Sequence, residues 1–294
     1  MTARISVVIP AHDEAAVIGR LLAQLVGDVR SPGLEIVVVA NGCRDATATV
    51  ARGFGRRVRV VEIPEASKIA ALRAGDRAAK AFPRAYVDAD VRVSADALLA
   101  LGHLLETPGG PLVASPRLQV DTTGASWFVR SHHRIWELTD YRQHDHIGSG
   151  VYALSAAGRA RFGEWPDVIA DDRFVQQQFR PDERATLDEH SFTVPSARTI
   201  RAHLRRTTRI ARGNLELADA STPVDEAAPA PAPALEPSGD RASNLVGRVA
   251  RRPALWPAFA VYSVTATVPK LRAIRQVDRR EEAAWARDDA RATV

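Results

Sequence analysis

The sequence predicts an α/β protein: a mostly parallel central sheet with helices on both faces, followed by a C-terminal helical arm. Three observations carry that prediction. Strand-like and helix-like patterns alternate four times in about ninety residues, the signature of βαβ units. A Pro/Ala-rich stretch over 222–239 is unable to hold a core and reads as an extended linker. Beyond it, 240–294 joins an uncharged centre to basic flanks. The expected organisation is therefore an α/β domain over 1–221, the linker over 222–239 and the arm over 240–294.

The elements follow in order. Ile5–Pro10 is a short β-branched run, a buried strand. Val17, Ile18, Leu21, Leu22 and Leu25 then recur at helical spacing. Glu35–Ala40 is a second strand, Asp45–Arg52 a short helix, Val58–Ile63 a third strand and Ser67–Lys80 an Ala-rich helix. Ala85–Asp88 is a fourth strand that stops at charged residues. From Ser94, an N-cap for a helix to about Leu105, the alternation loosens. Leu112–Val120 and Val151–Leu154 read as strands, Ser126–Tyr141 as an aromatic amphipathic helix and Asp171–Phe179 as a helix.

Composition narrows the class. The 294 residues are 46% hydrophobic and 26% charged, ordinary for a soluble globular chain with a sizeable core. The net charge is +5, and only Lys68, Lys80 and Lys270 are lysines among 40 basic residues. Arginine suits phosphate oxygens, but no DNA or RNA motif accompanies the charge, so nucleic acid is not an expected partner. Cys43 is the only cysteine, which excludes an internal disulfide and a Cys-based zinc site and fits a reducing compartment. The first apolar run is too short for a signal peptide. The expected location is cytoplasmic, either free or peripheral on the inner face of a membrane.

Parallel sheets bind ligands at the C-terminal ends of their strands. There this chain places Pro10-Ala11-His12-Asp13-Glu14, Asn41-Gly42-Cys43-Arg44-Asp45 and Asp88-Ala89-Asp90. Two carboxylates two residues apart, closing an apolar strand, let Asp88 and Asp90 approach one oxygen-loving cation, Mg²⁺ or Mn²⁺. Asp171 and Asp172 lie downstream, where a helix start is the plainer reading. His132, His133, His144, Asp145 and His146 raise a zinc site, but the spacing is poor and a fourth ligand is missing. They read better, with Trp127, Trp136 and Tyr141, as a partly exposed binding-site wall.

The set and order of these elements resemble the family 2 glycosyltransferases, with the GT-A fold. The family's I-P-x-x-N-E element is matched by Ile9–Glu14, and its V-V-D-D-G-S-x-D-x-T element by Val38–Thr47. Its G-K-x-x-A-L-N-x-G element is matched by Ser67–Gly75, its D-x-D by Asp88–Asp90, its G-x-G by Gly148-Ser149-Gly150 and its E-D by Asp171-Asp172. The likeness runs from about Ile5 to Gly213. It implies inverting transfer of a sugar from a nucleotide-diphosphate sugar, with Mn²⁺ or Mg²⁺ at Asp90 and Asp88 and with Asp172 as general base. It places Pro10, His12, Glu14, Asn41, Asp45, Lys68, Asp88, Ala89 and Asp90 at the donor. Gly148, Ser149, Gly150 and Asp171 fall on the acceptor side, Asp171 either as an acceptor contact or as an electrostatic neighbour, and the His132 to His146 cluster would form an acceptor wall there. Arg209 and Arg212 fall where the family closes a loop over the diphosphate.

Two departures carry weight. Asn41 stands where the family has an Asp that reads the imide edge of the base; an amide carbonyl still accepts from uracil or guanine, so a UDP-sugar comes first. The processive motif Q-x-x-R-W has its best match in Arg206–Ile210, without Gln or Trp, which favours single-sugar transfer to a glycan or lipid-linked acceptor. Two other functions compete. A sugar-nucleotide nucleotidylyltransferase needs a Gly-rich phosphate loop, absent from Pro10–Glu14. A non-catalytic nucleotide-sugar-binding protein has no use for Asp88, Asp90 and Asp172 together. The arm, uncharged from Pro253 to Pro269 between arginines and Lys270, reads either as an anchor for an anionic membrane surface or as a helix packed on the catalytic domain.

Overall fold

A computed structural model of the chain describes residues 5–27, 33–143, 146–168, 170–220 and 239–278. The linker centre, the last part of the arm, His144 and Asp145 lie outside the described residues.

The strands are β1 (Ile5–Ala11), β2 (Leu34–Asn41), β3 (Val58–Ile63), β4 (Arg84–Val87), β5 (Arg92–Val93), β6 (Val113–Asp121), β7 (Val151–Leu154) and β8 (Arg184–Pro195). The first five helices are α1 (Ile18–Gly27), α2 (Thr47–Arg52), α3 (Lys68–Ala78), α4 (Ala95–Glu106) and α5 (Trp127–Trp136). They are followed by α6 (Asp140–Gln143), α7 (Ala156–Arg159), α8 (Asp171–Gln177), α9 (Ile200–Ala220), α10 (Gly239–Ala250) and α11 (Trp256–Asp278).

One eight-stranded sheet runs in the order β3-β2-β1-β4-β7-β6-β8-β5. β3, β2, β1 and β4 pair in parallel, as the alternating pattern requires. β7 inserts antiparallel between β4 and β6. That insertion brings the segment leading into β7, 148–150, against the tip of β4.

Period two sorts the strand residues between the faces. Val7, Ile9, Ile36 and Val38 pack with Ile18, Leu21 and Leu22 of α1 and with Leu98 and Leu101 of α4. Val8, Val37 and Val39 pack with Ile69 and Leu72 of α3 and with Tyr86, Tyr152 and Trp165. Gly75 lets α3 lie close on the sheet: a Cβ there would stand 2.3 Å from Val8 Cγ1. Helix starts are set by serines, since Ser67 Oγ accepts from Ala70 N at 3.2 Å and Ser94 Oγ from Ala97 N at 3.1 Å.

Several elements differ from the sequence reading. β5, α7 and β8 are unexpected. α9 is a helix where a closing loop was expected around Arg209 and Arg212. The aromatic segment from Ser126 to Tyr141 breaks into α5 and α6. α10 and α11 pack on α5 and α9. Leu245, Val249, Leu255 and Ala258 cluster with Ile135, and Arg248 donates to Leu138 O at 2.6 Å while pairing with Asp140 at 2.7 Å. One face of the arm is thus a packed helix face.

Candidate functional site

The loops after β1 and β2 are knitted together by their own side chains. His12 Nδ1 lies 2.6 Å from Asn41 O. Asp13 is held at φ 52°, and its Oδ1 accepts from Arg44 N at 2.7 Å and Asp45 N at 3.3 Å. Asp45 accepts from Ala15 N at 3.0 Å and Thr47 N at 2.9 Å, and Thr47 Oγ1 in turn accepts from Glu14 N at 2.7 Å. Asp13, Cys43 and Asp45 bring three ligand-type atoms within 4.8 Å of one another, but both carboxylates already serve backbone N–H groups. Pro10 is buried in β1, and Glu14 is buried where the loop turns into α1. Asn41 is 1% exposed. Neither of its amide atoms has a hydrogen-bond partner among the described residues, a state that costs about 1–3 kcal/mol until a polar group arrives.

The carboxylates after β4 and at the start of α8 meet through Lys68. Its Nζ lies 2.9 Å from Asp88 Oδ1 and 2.8 Å from Asp171 Oδ1. Burial opposes that charge, but the two carboxylates outweigh it and hold the ammonium well above its usual pKa. Asp171 Oδ2 accepts from Tyr152 OH at 3.1 Å, and the residue is 3% exposed. Of the two roles open to Asp171, this geometry matches the electrostatic neighbour: a buried carboxylate with both oxygens engaged steadies Lys68. Tyr152 stacks on Tyr86 at 5.2 Å between ring centroids. Tyr86 OH donates to Asp76 at 2.7 Å, and Asp76 also accepts from Arg84, Arg159 and Trp165. Neither Tyr152 nor Asp76 stood out in the sequence. The available signals were the eight-residue step from Lys68 to Asp76 along α3 and the register that sets Tyr152 opposite Tyr86.

The Gly148-Ser149-Gly150 turn bonds two aspartates at once, one by its side chain and one by its backbone. Ser149 N donates to Asp172 Oδ2 at 3.0 Å, and Gly150 O accepts from Asp88 N at 2.8 Å. Gly148 has φ 102° and Gly150 φ 114°, conformations that favour glycine. A Cβ on Gly148 would stand 2.5 Å from Asp172 Cβ; one on Gly150 would stand 3.5 Å from Asp88 Oδ2. Glycine at 150 therefore leaves room beside that oxygen. Asp90 is buried just beyond, with Ala89 between the two carboxylates. Two hard oxygen donors and a cradle that a side chain would fill fit a divalent cation. Asp172 Oδ1 accepts from Arg173 N at 2.8 Å. Tyr141 lies close enough that burial, and then the Asp172 charge, push its hydroxyl up to about 12.

Other expected site residues are placed elsewhere. Arg209 and Arg212 sit one turn apart on α9, where Arg212 is buried and 3.4 Å from Glu216. His132 and His133 do not line an acceptor wall. They gather with His203 beneath the arm, the His132 and His203 rings 4.2 Å apart, and His132 Nδ1 lies 2.7 Å from Thr265 Oγ1. α11 covers that face of α5, which the pattern of α5 alone did not reveal. His146 instead reaches Ser149 Oγ at 3.1 Å. Among the described residues no histidine set brings metal-ligating atoms as close as the Asp13 group.

The fold is shared with solved glycosyltransferases. Mannosyltransferase PcManGT from Pyrobaculum calidifontis, solved with GDP-Man and Mn²⁺, is 20% identical, with a TM-score of 0.64 over 96% of this chain and 89% of that one. S. aureus TarS 1-349 in complex with UDP-GlcNAc is 11% identical, with a TM-score of 0.51 over 97% of this chain and 93% of that one. No curated protein matches the chain significantly. The family model described as glycosyl transferase family 2 matches residues 6–162, the segment that holds Lys68, Asp88, Asp90 and the Gly148–Gly150 turn. With more than half of its length matched, the chain belongs to glycosyl transferase family 2 and is a glycosyltransferase.

Proposed function

We propose that the enzyme transfers a single sugar, with inversion, from a nucleotide-diphosphate sugar to a hydroxyl of a glycan or lipid-linked acceptor. The observation that carries this reading is the 148–150 turn, which holds Asp172 by one N–H and the backbone of Asp88 by one C=O. The proposed base and the backbone that carries the cation-side carboxylate are thereby held by one three-residue device, and Lys68 holds that carboxylate itself.

In the displacement, the acceptor oxygen attacks the anomeric carbon as the bond to the diphosphate oxygen breaks on the opposite side. Asp172 takes the acceptor proton, a contribution of about 10²–10⁴-fold. Asp88 and Asp90 are the residues that would hold Mn²⁺ or Mg²⁺, which would supply Lewis-acid relief of charge on the leaving diphosphate. Lys68 stays charged beside Asp88, and Asp171 and Tyr152 keep it in place. We assign base reading to Asn41, whose unpartnered carbonyl and amide would match the donor and acceptor of a uracil or guanine edge. UDP-sugars come first. PcManGT holds GDP-Man and TarS holds UDP-GlcNAc, so both bases belong in the test.

The test is incubation with Mn²⁺ and a panel of UDP-, GDP-, CDP- and dTDP-sugars. Slow release of nucleoside diphosphate is expected. Pyrophosphate released in a parallel incubation with nucleoside triphosphates and sugar 1-phosphates would instead indicate nucleotidyl transfer, and absence of any metal-dependent nucleotide binding would overturn the reading.

A further inference from the structure

From 241 to 277 the chain carries seven cations and no acidic residue. Much of that stretch is α11, which buries one face against α5 and α9. Tyr262 and Thr265 meet His132 there, and Leu255 and Ala258 meet Ile135. The opposite face is apolar rather than polar. Trp256, Val264, Leu271 and Ile274 are 57%, 59%, 52% and 46% exposed. With Ala260 and Thr267 they are spaced four, four, three, four and three residues apart, so they form one stripe. At about 1.5 Å per residue the stripe is about 27 Å long. By the same helical geometry Lys270 and Arg275 border the stripe on its two sides, and Arg251 and Arg252 precede it; all four are exposed. Among the described residues no helix is long and apolar enough to cross a membrane.

We infer that the outward face of α11 docks in the plane of an anionic lipid bilayer. Apolar side chains on a cation-bordered helix enter the boundary between headgroups and acyl chains, while the cations reach anionic headgroups. Charge decides against a second copy of the chain: a two-fold contact through this face would bring like charges together. It decides less between lipid and nucleic acid, but a nucleic acid would leave the apolar stripe uncovered. The inference deepens the acceptor reading above and rests on it only in assigning the acceptor to a lipid-linked class.

The test is co-sedimentation of the full chain with vesicles of phosphatidylcholine alone or mixed with phosphatidylglycerol, at low and high salt. Binding is expected to the mixed vesicles only, to weaken with salt, and to shift Trp256 emission to the blue. Val264→Asp and Leu271→Asp, both on the exposed stripe, are each expected to lower vesicle partitioning about tenfold, with unchanged thermal melting. Absence of sedimentation with either vesicle would overturn the inference. So would equal binding to both compositions, binding to nucleic acid without binding to vesicles, or self-association abolished by the two substitutions. Metal-dependent release of nucleoside diphosphate, measured without vesicles on the same protein, separates failure of this surface from failure of the transferase reading.

Discussion

At the residue scale the site is a set of carboxylates with different restraints. Asp172 accepts two backbone N–H groups, from Ser149 and Arg173, which hold it still. Asp172→Asn is expected to keep donor affinity, measured by thermal shift with UDP and Mn²⁺, and to lower transfer about 10²–10⁴-fold; unchanged turnover would remove it as the base. Asp171 is different, because its charge is buried against Lys68. Lys68→Met is expected to cost about 3 kcal/mol in urea unfolding at pH 7, the lower end for breaking a buried pair, since the Lys68 side chain is itself 25% exposed. Adding Asp171→Asn to that variant is expected to recover most of the loss, because the orphaned charge goes with it. Lys68, Asp88 and Asp172 were legible in the sequence because each sits in an ordered motif at a strand end or helix start. Tyr152 and Asp76 were not. Their roles arise from the register of β7 on β4 and from the side chains that converge on α3, and neither has a local signature.

At the scale of elements, what was legible was what repeats locally. β1 to β4 are short β-branched runs, and α1, α3 and α4 have apolar periodicity with serine caps at the last two, so period and cap agree. β8 escaped because only Phe192 and Val194 of its residues are buried, while Asp188 and Glu189 are exposed; the apolar alternation is confined to one end. α9 escaped because its buried face carries His203, Thr208 and Arg212 alongside Ala202 and Leu217, so the apolar stripe is interrupted by polar groups. Close approach of elements is the other quantity that a one-dimensional pattern hides. α3 touches the sheet at Gly75, where a Cβ would be 2.3 Å from Val8 Cγ1. Gly75→Ala is expected to destabilise the fold by about 1–3 kcal/mol, because overpacking outweighs alanine's better helix propensity. Chemical unfolding at neutral pH measures the balance; a more stable variant would show that α3 can move off the sheet at little cost.

At the scale of the whole molecule, the arm and the catalytic domain share a buried cluster of imidazoles, and this couples their packing to pH. The Thr265 hydroxyl donates to Val261 O at 2.8 Å, so its contact with His132 requires His132 to donate from Nδ1. Burial, then neighbouring histidine charge, pushes His132 down to about 2. Burial, then His203 and the Arg206 and Arg142 cations, pushes His133 down to about 3. In the unfolded chain a histidine titrates near 6.5. Between that value and the folded ones the unfolded state binds more protons, so stability is fully present above about pH 6.5 and is lost as pH falls. From pH 7 to 5.5 the loss is about 1 kcal/mol for each of the two histidines. That window lies above the range where carboxylates held low in the folded state, such as Asp76 and Asp121, begin to protonate and add their own loss. Burial, then the Arg142 charge, pushes His146 down to about 3 as well, so thermal melts from pH 7 to 5.5 are expected to show a falling Tm, and His133→Gln, which cannot take up a proton, should flatten the slope by about a third. A Tm independent of pH across that window would mean that the imidazoles are hydrated in solution and that the arm does not seal them.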